Sequence, residues 1–268
     1  MRASGIVAVA VFRESVRDKV FYNLVLFALL LVGASVLIGQ LTAGQDVKII
    51  KDLGLAATSV FGLFVAIFVG ISLLSKEVDR RSVYPLLAKP IRRSELIAGK
   101  YLGLLLTLLV NTIVMTVALY TVLYVLSRGV PENVQRAWDT PAVDPALLKA
   151  IALIYVDIAV VTAVALFFSS YSSPMLSAVF TLGVYVVGQF NADLKRFDQI
   201  VDAPAVAMLA KAAYYVLPDF SRFDVKLAVV HGLPVTGAYL GSSALYAMTY
   251  IAALLLGAMA IFSRRDFK

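Results

Sequence analysis

Chemistry needs reactive groups brought together, and this chain offers few places where that could happen. Asp157 is the single acid in the apolar run Leu147–Ser170. It stands ten residues after Leu147, about 15 Å along a helix. That is close to the midplane of a hydrocarbon layer about 30 Å thick. An acid at this depth is costly and usually faces a cavity, a partner or a proton path. Asn111, ten residues after Tyr101, reaches a similar depth in its own run. Two readings stay open. Both side chains face the interior, along a substrate path or a seam between protomers, or Asp157 is bonded locally to Tyr155 or a neighbouring threonine and serves packing.

Other chemistries lack their parts. There is no cysteine, so thiolate catalysis, disulfides and cysteine-based metal sites are excluded. The single histidine, His231, has no second histidine nearby to build a zinc site and reads as a solvated loop residue. No phosphate-binding loop is present, because Gly99-Lys100 is followed by Tyr101 and opens an apolar run. No G-x-S-x-G string occurs either. An intramembrane transferase or protease would need clustered acids or a usable histidine, and neither exists.

The second concentration of polar groups is Ser75–Gly103, SKEVDRRSVYPLLAKPIRRSELIAGKYLG, which holds seven of the 24 Lys and Arg residues. Apolar runs flank it on both sides. A chain that is 61% hydrophobic and 15% charged departs far from the roughly 45–50% and 25% of globular domains. The expectation is an all-α polytopic membrane protein forming one transmembrane domain. Six spans are expected at about 21–41, 54–75, 101–126, 147–170, 175–190 and 240–262. Residues 4–20 place Val9, Phe12, Val16 and Val20 on one helical face and Arg13, Glu14, Arg17 and Asp18 on the other, the pattern of an interfacial helix.

Thr42–Leu53 reads as a short polar loop, 76–100 as a charged loop, and Ser127–Pro145, with the only Trp, Trp138, as a second external loop. In the turn at 169–174, Pro174 suits the first turn of the next helix. The long loop 191–239 should carry short helices of its own. Gly99-x-x-x-Gly103 fits a helix-packing spacing that is common by chance. With six spans both termini share one side, where 14 basic residues stand against six acids, while the other side has ten of each. This bias puts the termini in the cytoplasm. It also accounts for the net charge of +7 through the lipid bilayer, without nucleic acid.

In three places the chain resembles the permease subunits of type-2 ATP-binding-cassette exporters, above all the bacterial branch with copper-accessory and gliding-motility permeases. These are KEVDRRSVYPLLAKPIRRSELIAGK at 76–100, LFFSSYSS at 166–173, and YYVLPDFSRFDV at 214–225 followed by the terminal FSRRDF. The resemblance implies a coupling helix between spans two and three that docks on a separate ATPase. The residues it marks are Glu77, Arg80, Arg81, Tyr84, Leu86, Leu87, Pro90, Arg92, Arg93, Glu95 and Lys100. Glu77 and Lys100 would mark where the two spans emerge. It further implies a permease homodimer of twelve spans above two ATPase subunits, in a bacterial or archaeal cytoplasmic membrane. ATP and Mg would be bound by the ATPases, with no cofactor and no catalysis in this chain. The alternative is a proton- or ion-coupled carrier that uses Asp157. The absence of an internal repeat or paired broken helices argues against it.

Overall fold

The computed structural model describes residues 2–40, 46–79, 93–135, 138, 140–191 and 204–264. Long apolar stretches with few helix breakers should form helices once no water competes for the backbone, and the described residues bear this out. The helices are α1 (Arg2–Val16), α2 (Lys19–Gln40), α3 (Asp46–Asp79), α4 (Arg93–Gly129), α5 (Glu132–Gln135), α6 (Leu147–Ser169), α7 (Pro174–Gln189), α8 (Pro204–Val216), α9 (Lys226–Val230) and α10 (Gly237–Arg264), with a 3-10 turn at Ser221–Phe223.

Among the described residues four helices are long and apolar enough to cross a membrane: Asp46–Ser72, Ser94–Gly129, Leu147–Ser169 and Gly237–Ser263. The pair α1 and α2, bent by 60°, is a fifth candidate, and α7 is a shorter apolar helix of 16 residues. At the centre stands α6, buried on every face from Asp157 to Leu166, while Leu148 and Ala152 near its start are exposed. A helix that is apolar all round belongs inside a bundle. Around it pack α3, α4, α7 and α10, while α2 lies against α3 and α4. Pro174 occupies the first turn of α7, after Ser173 in an extended conformation.

Two expected boundaries and one expected face are corrected. The polar loop expected at 42–53 is helical from Asp46. Lys51, which suggested solvent, is fully buried; its Nζ donates to Thr140 Oγ1 at 2.8 Å and to the Pro141 carbonyl at 2.7 Å. A lysine can enter the helix there because the segment before α6 folds over it and supplies the acceptors. Span three begins earlier than expected, since α4 starts at Arg93. Lys100 therefore lies two turns inside the helix and is buried. On α1 the buried stripe is Val7, Ala8, Val11 and Ser15, with Val9 left exposed.

At the end remote from the charged segment, residues 217–236 form a compact cap. Phe220, Phe223, Val229 and Val230 are buried beneath it. The cap is tied down by directional bonds. The Phe220 amide donates to the Gly188 carbonyl at 3.1 Å, the Asp219 amide to the Tyr246 hydroxyl at 2.8 Å, and Lys149 Nζ to the Val235 carbonyl at 2.8 Å. Arg222 stacks over the Tyr246 ring, 4.7 Å from its centre, a cation–π contact. The motif DFSRFD, part of the resemblance at 214–225, thus places two phenylalanines in the core. His231 is exposed, with Nδ1 3.0 Å from the Leu227 carbonyl.

Candidate functional site

The charged segment is reached by two helices that run without a break out of the bundle. Glu77 lies in the last turn of α3, and Arg93 and Glu95 open α4. Arg80, Arg81, Tyr84, Leu86, Leu87, Pro90 and Arg92 lie outside the described residues.

Against the start of α4 lies α1, and the contact is made through glycine. A Cβ on Gly99 would stand 2.7 Å from Val7 Cβ and 2.8 Å from the Ser4 carbonyl oxygen. A Cβ on Gly103 would stand 2.6 Å from the Ala8 carbonyl oxygen and 2.7 Å from Val11 Cβ. Small residues of this spacing let two helix backbones approach closely. The spacing that looked accidental in the sequence is the seat of α1.

Asp157 and Asn111 lie deeper, both buried, at 5% and 1% exposure. Asn111 sits where α3, α4 and α6 converge. A Cβ on Gly62 would come 3.9 Å from Asn111 Nδ2 and would run into the Ile158 side chain, next to Asp157. Both polar atoms of Asn111, together with Asp157 Oδ1 and Thr112 Oγ1, have no hydrogen-bond partner among the described residues. Buried polar atoms normally find partners, so these mark the middle of the bundle as unusual. Tyr155 donates to the Leu105 carbonyl at 3.1 Å, and Thr162 to the Ile158 carbonyl at 2.8 Å. The protons of the expected local partners are therefore engaged elsewhere. Tyr101 donates to the Ala159 carbonyl at 3.2 Å, so two tyrosine bonds join α4 to α6.

The sequence reading missed the surroundings of Asp157. Tyr185 on α7 stands close to Ser59 on α3 and Gln189 on α7, and Asp157 acts on it electrostatically. Lys226 and Asp224 of the cap, paired at 3.5 Å, are within electrostatic reach of Asp157. The available signal was a tyrosine and a glutamine four residues apart in a short apolar run, on one helix face.

An all-helical chain with several apolar spans, polar atoms held inside the bundle, and two helices leading into a charged segment is a multi-pass membrane protein built for transport. The chain belongs to the ABC-2 family transporter proteins, whose family model matches residues 6–267. It is accordingly the permease subunit of an ABC transporter, a transport subunit of a generally non-catalytic family that works with an ABC ATPase subunit. None of the curated proteins compared with the chain matches it.

Proposed function

We propose that the chain is the membrane half of an ATP-driven exporter. It forms a homodimer with two ATPase subunits, which bind ATP and Mg. Six spans, α2, α3, α4, α6, α7 and α10, cross the cytoplasmic membrane with both termini inside, and residues 76–100 couple them to the ATPases. Placement near the copper-accessory and gliding-motility permeases rests on the three motifs alone. The observation that carries the coupling role is mechanical. Helices α3 (Asp46–Asp79) and α4 (Arg93–Gly129) run unbroken from the bundle toward the segment, so a push at 80–92 reaches both. Reversing Arg80→Glu together with Arg81→Glu should detach or uncouple the ATPase and leave the spans inserted. A complex that assembles and responds to substrate as before would reduce these arginines to topological markers.

In this reading Asp157 and Asn111 line the translocation path, since Asp157 Oδ1 and both polar atoms of Asn111 are buried without hydrogen-bond partners among the described residues. Asp157→Asn should then impair transport without loss of assembly; normal transport and assembly would remove Asp157 from the path. The same partnerless Oδ1 is what favours a second reading, an ion-coupled carrier. Transport by vesicles of the isolated protein on an ion gradient alone, with no ATPase associating, would establish the carrier and sink the exporter.

A further inference from the structure

At the junction of α1 and α2 the surface is concave. The groove is lined by Ala10, Arg13, Glu14, Arg17, Asp18 and Lys19, three cations against two acids. Through Ala10 and Arg13 it opens onto a second, apolar groove that also takes in Ile6 and Val9. Both lie on the side of α1 turned away from α4, since Val7, Ala8 and Val11 are the residues buried there. That outer side changes character along the helix, from exposed Ile6 and Val9 to exposed Arg13 and Arg17.

Lys19 also begins α2. Helical periodicity puts Tyr22, Leu26 and Leu30 on the same face as Lys19, and these are 56%, 56% and 59% exposed. A cationic groove therefore stands at the foot of an apolar track that rises along a membrane helix. A phospholipid has this layout, a phosphate at the interface and acyl chains running inward.

We propose that the groove at the α1–α2 junction binds an anionic phospholipid, with the phosphate held by Arg13, Arg17 and Lys19 and an acyl chain along Tyr22, Leu26 and Leu30. Arginine guanidinium groups match phosphate geometry. The excess of one cation in the lining favours a headgroup with net negative charge over a zwitterionic one. The proposal rests on α1 lying at the membrane interface, the place that the charged and apolar faces of residues 4–20 give it, but not on the ATPase, the dimer or the direction of transport.

The test is a lipid titration of the full chain in detergent, read by native mass spectrometry, with phosphatidylglycerol and phosphatidylcholine as probes. Wild type should bind phosphatidylglycerol in preference to phosphatidylcholine. Arg13→Gln with Arg17→Gln should weaken phosphatidylglycerol binding by an order of magnitude or more, since each basic residue near an anionic surface contributes about a fivefold factor. Arg13→Lys with Arg17→Lys should largely restore it. Thermal unfolding should be unchanged, because neither arginine touches the face packed on α4. Equal binding of the two lipids by wild type, or undiminished preference in the glutamine variant, would overturn the proposal. No ATPase is present in the assay, so its failure leaves the exporter reading untouched.

Discussion

The two ends of α4 are held in different ways. At the end near the charged segment, α1 sits on Gly99 and Gly103, and the contact is between helix backbones and the small or branched residues Ser4, Val7, Ala8 and Val11. Toward α6 the same end is also tied directionally, by Tyr101 to the Ala159 carbonyl and by Tyr155 to the Leu105 carbonyl, so the contrast is between the α1 seat and the ties at the other end. There Tyr120 of α4 donates to the Asp144 carbonyl at 2.7 Å, and the same segment before α6 is held from α3 by Lys51, which donates to Thr140 and Pro141. A glycine seat limits how closely two helices approach but accommodates sliding. Hydrogen bonds to named carbonyls fix register as well. In the coupling proposed above, the drive would enter at the charged segment, the end where α1 is seated on glycine.

The comparison breaks most visibly at the glycine seat. Gly103→Leu cannot be absorbed without moving α1, since even a Cβ there meets a carbonyl oxygen at 2.6 Å. Overpacking of this kind costs about 1–3 kcal/mol and occasionally more. The expected result is a clear fall in the thermal unfolding temperature in detergent, with Gly99→Ala lowering it less. An unfolding temperature unchanged in Gly103→Leu would mean that α1 is only loosely seated. Next comes Lys51→Met, which keeps the aliphatic stem and removes the donor shared by Thr140 and Pro141. Leaving buried acceptors without a partner costs about 1–3 kcal/mol. Proteolysis of the segment before α6 should accelerate at the same time; a resistant segment would show that the cap end does not depend on this lysine.

How much of this could be read from the sequence follows from where each signal sits. Apolar runs are local, so the long helices and the membrane class were legible from them. Helix ends were not, because the residues that looked like loop markers owe their burial to distant partners. Lys51 is separated by 89 residues from the threonine that holds it, and no local rule reaches that far. Gly99 and Gly103 were visible as a spacing, yet their use depended on α1 lying opposite, which the amphipathic reading had turned toward Val9 and Phe12. Asp157 stood out by charge alone. Its neighbours Ser59, Tyr185 and Gln189 did not, since polar residues on two separate apolar runs gain meaning only when the helices converge.

The middle of the bundle belongs to neither end, and Asp157→Asn separates it from both. This side chain carries a buried oxygen without a hydrogen-bond partner among the described residues, and a buried carboxylate is destabilising unless it is paired or neutralised. Exchanging it for a neutral amide of the same shape removes that burden and breaks no hydrogen bond at the partnerless oxygen. The thermal unfolding temperature should therefore stay at the wild-type value or rise slightly, the smallest structural effect of the three. Transport should fall nonetheless if the acid lines the path. A lowered unfolding temperature would assign Asp157 to the frame with Lys51. Stability kept while transport is lost would show that the protein tolerates a strained group at its centre because the group is used there.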